Sequence, residues 1–211
     1  LLANVYLHYV FDLWAQRWRR REAKGDMIVV RYADDIIVGF EHETDAQHFQ
    51  DAMRARLQEF SLSLHPEKTR LIEFGRYAAE RRAKRGEGKP ETFTFLGFTH
   101  YCGTKKNGCD FQLGRKTQRK RKQAKLREIK EALRQRMHAT IDEQGRWLGS
   151  VLRGYFAYFA VPTNSRALTA FRYHVATLWY RSLRRRSQKD RTTWERMTTL
   201  IECFLPPAHI L

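Results

Sequence analysis

Apolar residues are spaced in two different ways along this chain, and the two spacings predict different elements. Residues 27–40 are the most apolar stretch, with Val and Ile on both sides of a short polar break at 32–35. Runs of β-branched residues bounded by polar ones are typical of strands, so the stretch predicts two short strands joined by a tight turn. Because the apolar run is nearly continuous rather than alternating, we expect this hairpin to be buried on both faces.

Residues 1–21 predict a helix that ends in a basic cluster. Arg residues at 17 and 19–21 lie near its C-terminus, where positive charge complements the helix dipole. Apolar residues recur at helical spacing along this segment and form the expected core-facing stripe: Leu2, Val5, Tyr9, Val10 and Leu13, extended by Trp14 and Trp18.

Residues 44–60 predict a second helix, and Thr44 with Gln47 predicts a capping box at its start. Its core-facing residues are expected to be Phe49, Met53, Leu57 and Phe60. Residues 61–64 predict a short extended piece that Pro66 breaks, and residues 69–74 alternate and predict a further strand. The order helix, hairpin, helix, strand predicts an α+β fold with helices on one face of an antiparallel sheet.

The second half of the chain predicts one hairpin followed by three helices. Residues 76–90 are polar and basic and predict a connection without a regular element. Residues 93–102 and 109–113 predict a hairpin across which Cys102 and Cys109 would face each other. The three predicted helices cover 116–136, 147–161 and a segment that begins at Asn164 or Ser165 and ends in a run of arginines.

The charge of the chain predicts a polyanionic partner. Lys and Arg number 40 against 23 Asp and Glu, which gives a net charge of +17. Such an excess, clustered and interleaved with aromatic residues, is typical of proteins that bind nucleic acid. An evenly solvated basic surface is the alternative, but the helix at 116–136 has too few acids to be solvated by balanced ion pairs. We expect nucleic-acid contacts from Lys116, Arg119, Lys120, Arg121, Lys122, Lys125, Arg127, Arg153, Arg184, Arg185 and Arg186.

The cysteine content and the hydropathy exclude some classes of protein. Three cysteines are too few and too scattered for a disulfide framework, so we expect reduced thiols and a cytoplasmic, bacterial protein. The spacing of His100, Cys102 and Cys109 fits no common zinc site. No apolar stretch approaches the roughly 20 residues of a membrane span.

Asp34 and Asp35 are the strongest chemical signal in the chain. Adjacent Asp residues are common in ordinary turns, because Asp tolerates turn geometry and binds its own backbone. Here they interrupt an apolar hairpin, where carboxylates are costly unless a positive group meets them. Carboxylates suit hard cations such as Mg²⁺, which also binds substrate phosphates, so the pair predicts a site for metal-assisted phosphoryl transfer.

The Tyr-Ala-Asp-Asp sequence at 32–35 resembles the signature box of reverse transcriptases. The wider context resembles one branch of that family, the reverse transcriptase/maturase proteins encoded by group II introns. Further blocks resemble the family's, in the family's order, at 1–8, 65–75, 92–100 and 153–162. Any one block is a weak signal, whereas the ordered set is specific and covers nearly the whole chain.

The resemblance implies a partial polymerase palm followed by a three-helix, all-α thumb, also called the maturase or X domain. The expected boundaries are 1–75 for the palm, 76–114 for the connection with the primer-grip hairpin, 115–190 for the thumb and 191–211 for the start of a linker. The family's fingers and first catalytic aspartate would lie before Leu1. We therefore expect the isolated chain to bind RNA but not to polymerise DNA.

The resemblance also implies roles for individual residues. Asp34 would be a direct ligand of two Mg²⁺ ions, or of Mn²⁺ as the alternative ion, with Asp35 in the same site. Tyr32 and Ala33 would lie near the primer terminus or the incoming nucleotide, and Lys68 would lie near the triphosphate of that nucleotide. The alternative for Tyr32 is a packed strand aromatic, and the alternative for Lys68 is an ordinary surface lysine. The primer grip would consist of Phe95, Leu96 and Gly97.

Three functions remain open at this point. The first is an RNA-directed DNA polymerase of a group II intron-type mobile element, with an RNA template–primer duplex, intron RNA and deoxynucleoside triphosphates as partners, completed by the missing N-terminal half. The second is a non-catalytic RNA-binding maturase or splicing factor. The third is a reverse transcriptase of another bacterial system, such as a retron or a defence system. The acids at 34–35 favour an enzyme, and the block at 153–162 favours the intron branch.

Overall fold

The computed structural model describes residues 2–105, 108, 110–186 and 192–210. The chain divides into two units, which are called the first unit (1–73) and the second unit (74–211) below. The predicted α+β class is confirmed, and both sheets of the described residues are antiparallel.

The first unit consists of an interrupted N-terminal helix, one hairpin and one long helix. The predicted hairpin at 27–40 and the predicted helix at 44–60 are both confirmed. The elements are α1 (Leu2–Leu7), a π-helical turn (His8–Asp12), α2 (Leu13–Arg21), β1 (Met27–Tyr32), β2 (Asp35–Phe40) and α3 (Glu43–Glu59).

The π-helical turn changes which face of the N-terminal helix is buried. The Leu13 N–H donates to the His8 carbonyl five residues back, so one residue more than in an α-helix fits into that turn. The predicted stripe is wrong at Leu2, Val5 and Tyr9, which are exposed, but Val10, Trp14 and Trp18 contact the core as predicted. The side chains that enter the core are Val10, Phe11, Ala15 and Trp18.

The hairpin of the first unit is covered on one face only. In its register Met27 lies opposite Phe40 and Val29 opposite Val38, and all four side chains pack on the helices. On the other face Ile28, at 67 % exposure, lies without a covering layer among the described residues. The prediction of burial on both faces is therefore wrong, because the sheet of this unit has two strands and helices on a single side.

Two local predictions in the first unit are also wrong. The helix α3 begins after His42, so Thr44 lies within its first turn, and Gln47 donates instead to Glu43. Residues 69–74 belong to neither described sheet, since their alternating pattern meets no strand to pair with in the described part of the chain.

The second unit consists of a short helix, a three-stranded sheet and a helical bundle. The elements are α4 (Ala78–Lys84), β3 (Phe93–Phe95), β4 (Phe98–Thr104), β5 (Phe111–Thr117), α5 (Arg119–Gln135), α6 (Ile141–Phe159), α7 (Ser165–Arg184) and α8 (Trp194–Phe204). Three expectations are corrected by these bounds: the connection at 76–90 contains a helix, the predicted hairpin has a third strand, and the bundle has a fourth helix where a linker was expected. The predicted Cys102–Cys109 juxtaposition lies outside the described residues at Cys109.

The fourth helix completes the core of the second unit. Met197 of α8 is fully buried, and Phe204 packs edge-on to the buried Trp179 of α7 at 6.0 Å between ring centroids. A Cβ atom at Gly149 of α6 would lie 2.5 Å from the Phe204 carbonyl oxygen, so only glycine lets the end of α8 approach α6 this closely. The helix α8 is therefore part of the domain rather than a linker.

The sheet of the second unit is tied to its bundle through the connection between α6 and α7. The buried Asn164 accepts from the Thr117 N–H at 2.9 Å and donates to the Thr117 hydroxyl and the Phe159 carbonyl. Thr163 bonds the backbone of Arg115 in the same way. Asn164, predicted as a helix cap, thus serves as a link between strand β5 and the helices.

Candidate active site

The two predicted acidic residues lie at the tip of the first hairpin. Tyr32 pairs with Asp35, which leaves Ala33 and Asp34 as a two-residue loop. Ala33 has a φ of 53°, the left-handed value that a type II′ turn requires at its first loop position and that Gly usually supplies. The prediction of a tight turn at 32–35 is confirmed, and this turn fixes the backbone positions of Asp34 and Asp35.

Strand alternation places Asp35 on the uncovered face of the hairpin. Residues directly opposite each other in an antiparallel pair point to the same face, so Asp35 shares a face with Tyr32, Val30 and Ile28. All four are exposed, and Tyr32 at 63 % exposure is not the packed strand aromatic of the alternative interpretation. Asp35 and the Tyr32 ring are therefore accessible side by side.

Arg31, on the covered face, holds the turn in place. Its guanidinium donates to both carboxylate oxygens of Asp12 at 2.7 and 2.6 Å. It also donates to the Ala33 carbonyl at 2.9 Å and to the Asn4 side chain at 3.2 Å. A bidentate Arg–carboxylate pair is geometrically specific, so this contact fixes the turn to the N-terminal helix.

The same contact changes the ionisation of Asp12. Hydrogen bonds from Arg31 lower the pKa of Asp12, against the smaller opposing effect of its partial burial. Asp12 therefore stays ionised as the partner of the Arg31 guanidinium. Sequence reasoning assigned no role to either residue. The pairing is between residues 19 apart in sequence, which no local pattern signals.

Asp34 and Asp35, by contrast, have no side-chain partner in the described part of the chain. Two unpaired carboxylates are the donor set that Mg²⁺ accepts when waters and substrate phosphates supply its other ligands. Residues of the described segments gather no group of three or more His, Cys, Asp or Glu that could hold a metal ion by itself. The pair therefore fits a metal that is bound jointly with a substrate.

Lys68 lies in a turn of the first unit. Its N–H donates to the His65 carbonyl at 3.2 Å, which closes the turn after Pro66. The side chain is exposed, as both the predicted role and the ordinary surface lysine would require. The geometry leaves the two interpretations of Lys68 open.

The predicted primer-grip residues form the turn between β3 and β4. Leu96 and Gly97 have φ values of 49° and 78°, as in a type I′ turn, and the strands end at Phe95 and Phe98. The Tyr158 hydroxyl donates to the Leu96 carbonyl at 2.9 Å. A Cβ at Gly97 would lie 3.1 Å from the Arg121 side chain. Within the second unit, this turn is thus packed against helices α5 and α6.

The predicted RNA-binding residues differ in their surroundings. Lys116 lies in strand β5 rather than in a helix, with its ammonium 5.4 Å from the centre of the Tyr101 ring. Lys125 pairs with Glu128, and Arg186 donates to the Ala139 carbonyl. The side chains that remain exposed and without an acidic partner among the described residues are Arg119, Lys120, Arg121, Arg127, Arg153, Arg184 and Arg185.

Residues 1–100 match the family model described as reverse transcriptase (RNA-dependent DNA polymerase). The match covers the whole first unit and continues into β4, and thus includes the hairpin with both acids. No curated protein matches the chain. None of the helices in the described ranges is both long and apolar enough to cross a membrane.

Proposed function

We propose that the chain supplies the palm and thumb of an RNA-directed DNA polymerase and that the tip of the first hairpin is its catalytic site. The single observation that carries this proposal is the pair Asp34 and Asp35, unpaired and exposed at the tip of a turn that Arg31 holds rigidly. The family match over residues 1–100 supports it, because reverse transcriptases generally use divalent metals for nucleotidyl transfer.

Asp34 and Asp35 would hold the metal ions, Mg²⁺ or Mn²⁺. When bound, such ions lower the pKa of the attacking hydroxyl and neutralise the triphosphate. The protein contributes position: in phosphoryl transfer, catalysis depends on fixed carboxylates more than on covalent chemistry. The bidentate contact of Arg31 with Asp12 would keep the turn from moving as substrates enter and leave.

The uncovered face of the hairpin would receive the primer end and the incoming nucleotide. Tyr32 lies on this face next to Asp35, where its ring can pack against a sugar or a base. Ala33 adds no bulk at the tip. Lys68 would contact the triphosphate, and the turn at 95–97 would act as primer grip. These assignments remain predictions that rest on the resemblance.

The second unit would bind RNA through the exposed cations of helix α5 and of the end of α7. The resemblance of the block at 153–162 to the maturase thumb favours an intron-type enzyme with assistance to splicing, and Arg153 in this block is exposed. Phosphate contacts of this kind give affinity without sequence information. A purely splicing protein would use the same contacts without the acids.

Primer extension on an RNA template tests the proposal. We expect no synthesis by residues 1–211 alone and synthesis when the fingers and the first catalytic aspartate are supplied in trans. Asp34→Asn should reduce the rate about a hundredfold or more, because a metal ligand contributes several kcal/mol. Asp51→Asn is the matched control, since Asp51 is an exposed carboxylate of the same unit that pairs with Arg54.

A metal titration of the chain itself adds a readout that needs no polymerisation. Mn²⁺ should broaden the NMR signals of residues around 32–36, and Asp34→Asn should remove this broadening while Asp51→Asn leaves it unchanged. Full synthesis by the Asp34→Asn variant, or broadening centred elsewhere, would contradict the assignment of the site.

A further inference from the structure

A groove on the outer side of the bundle combines aromatic rings with arginines. It consists of two neighbouring concavities of about 490 and 440 Å³, both of which are lined by Tyr173, Thr177 and Arg181 of α7. Helix α5 forms one wall, with Arg127 and Lys130. Trp194, at the start of α8, forms the other. Three helices thus contribute to one surface of the second unit, called the groove below.

Tyr173 and Trp194, two of the three aromatic rings of the groove, lie outside the core, whereas Tyr180 packs partly against it. Helix α7 buries Phe171, Val175 and Trp179 on its inner face, and Tyr173 lies on the opposite face at 60 % exposure. Trp194 is 41 % exposed and belongs to no core cluster, whereas α8 packs through residues further along.

The Trp194 ring contacts the rings of Tyr173 and Tyr180 edge-on, with interplanar angles of 60° to Tyr173 and 85° to Tyr180. Trp194 lies 6.2 Å from Tyr173 and 5.2 Å from Tyr180 between ring centroids. Tyr180 in turn lies under the guanidinium of Arg184 at 5.8 Å. Tyr173 and Trp194 are thus two large exposed rings in contact with each other, which is unusual for a surface that only faces water.

The charges of the groove have one sign. Helix α7 contains no Asp or Glu, and its side of the groove carries Arg181, Arg184 and Arg185. None of these, nor Arg127 or Lys130, pairs with a carboxylate in the described residues, while the neighbouring Lys125 and Arg134 of α5 do. The cations that line the groove are therefore free to bind an anion, whereas Lys125 and Arg134 are paired.

We propose that the groove binds unpaired nucleotides of a single-stranded nucleic acid. Bases can stack on Tyr173 and Trp194 only when they are free of a duplex, and the arginines would follow the backbone phosphates. A duplex would use the cations but leave the rings without a partner. An acidic peptide would also meet the charge, but its side chains offer no flat face to the two rings.

This inference goes beyond the proposed polymerase, because it uses no residue of the hairpin and needs no metal. It assigns to the second unit a site for a template overhang or an RNA loop, in addition to phosphate contacts along a duplex. The groove and the hairpin can therefore be tested separately.

Fluorescence anisotropy of the chain with labelled 12-nucleotide probes, in EDTA and at one fixed salt concentration, tests the inference. The probes are oligo-U RNA, oligo-T DNA, and a 12-base-pair duplex. We expect both single strands to bind more tightly than the duplex. The ratio between the affinities for RNA and for DNA then shows which of the two single strands the groove prefers.

Substitutions within the groove give the sharper test. Tyr173→Ala and Trp194→Ala should each weaken single-strand binding about fivefold to a hundredfold, and Trp194→Phe should restore most of it. Tyr77→Ala is the control, because Tyr77 is an equally exposed ring of the same unit outside the groove. Arg181→Ala should lower the slope of log affinity against log salt concentration by about one. Arg134→Ala should lower this slope by less, because Arg134 lies outside the groove and pairs with Glu131.

Ultraviolet crosslinking to oligo-U should map to the peptides that contain Tyr173 or Trp194. Circular dichroism confirms that each variant is folded, as expected for side chains outside the core.

Unchanged affinity in both aromatic variants, a preference for the duplex, or tighter binding of an oligo-glutamate peptide would each overturn the inference. Loss of primer extension in Asp34→Asn with normal single-strand binding would leave the inference intact, whereas full primer extension with normal single-strand binding would refute the catalytic proposal alone.

Discussion

The two units of this chain differ in how completely they cover their apolar side chains. The first unit, although only about half as long, exposes eight large hydrophobic side chains among the described residues, and the second exposes five. Three of the eight, Ile28, Val30 and Tyr32, lie on one face of the hairpin that carries the acids. The second unit buries a larger core, with a fourth helix that closes it.

The difference shows where each unit can act. A polymerase-like site needs an open surface beside its carboxylates, and the first unit leaves that surface uncovered. Each Å² of apolar surface that stays exposed forgoes roughly 25 cal/mol of hydrophobic stabilisation. The second unit is closed, and it exposes cations and the aromatic rings of Tyr77, Tyr158, Tyr173 and Trp194 instead. Stability and the proposed chemistry are therefore concentrated in different units, and the following substitutions test that separation.

The largest effect is expected in the core of the second unit. Trp179→Ala should lower the free energy of unfolding by about 3–5 kcal/mol, because it leaves a cavity and removes the partner of Gln144. Denaturant unfolding measures the change, and Trp194→Ala is the matched control because that ring lies outside the core. Equal destabilisation by both variants would show that the exposed ring is structural.

The next effect is expected where α8 meets α6. Gly149→Ala should destabilise the second unit by about 1–3 kcal/mol, since its Cβ would meet a backbone carbonyl that cannot move aside easily. Gly154→Ala in the same helix has open space around its Cβ and should instead stabilise by up to about 1 kcal/mol. Segment-resolved hydrogen exchange should place the loss for Gly149→Ala at residues 194–204. A loss spread evenly over both units would argue against this contact.

A smaller effect is expected at the support of the hairpin, and it depends on pH. The pKa of Asp12 is lowered in the folded chain, so its contribution is present above the unfolded value, about 3.9, and is lost as the pH falls through the folded value. Arg31→Ala should cost about 1–2 kcal/mol at pH 7. It should also weaken the fall in stability of the first unit below about pH 4. Hydrogen exchange of residues 27–40 at several pH values measures both changes.

Arg31→Lys separates charge from geometry in the same experiment. Lys keeps the positive charge but cannot donate to both Asp12 oxygens and the Ala33 carbonyl in one fixed plane. We expect it to keep the pH dependence in part and to leave the turn less protected. Full protection of the turn in Arg31→Lys would show that charge alone holds it.

The smallest effect on stability is expected at the acids themselves. Asp34→Asn should change the free energy of unfolding by less than about 0.5 kcal/mol, because the carboxylate is exposed and contacts nothing in the described residues. Thermal unfolding of the same protein used for primer extension checks this. A large destabilisation would mean that Asp34 has a structural role and that lost synthesis says little about catalysis.

Several parts of the first unit could be predicted because they depend on local chemistry. The hairpin at 27–40 follows from β-branched runs around a polar break, and α3 from apolar residues at helical spacing. The stripe of the N-terminal helix could be predicted only in part, since the π-helical turn at His8–Asp12 changes the angle between the side chains before it and those after it. The strand expected at 69–74 failed for another reason: a strand needs a partner, and its own sequence does not provide one.

The sequence by itself determined the acids at a tight turn, the α+β class and the positive charge, because residue type, periodicity and turn preference act over a few neighbouring residues. Only the tertiary structure decided which face of the hairpin stays open and that Arg31 holds the turn through Asp12. It also decided that rings and cations from three helices line one groove. These features depend on packing between residues that lie far apart along the chain, and no short-range pattern encodes which of them will meet.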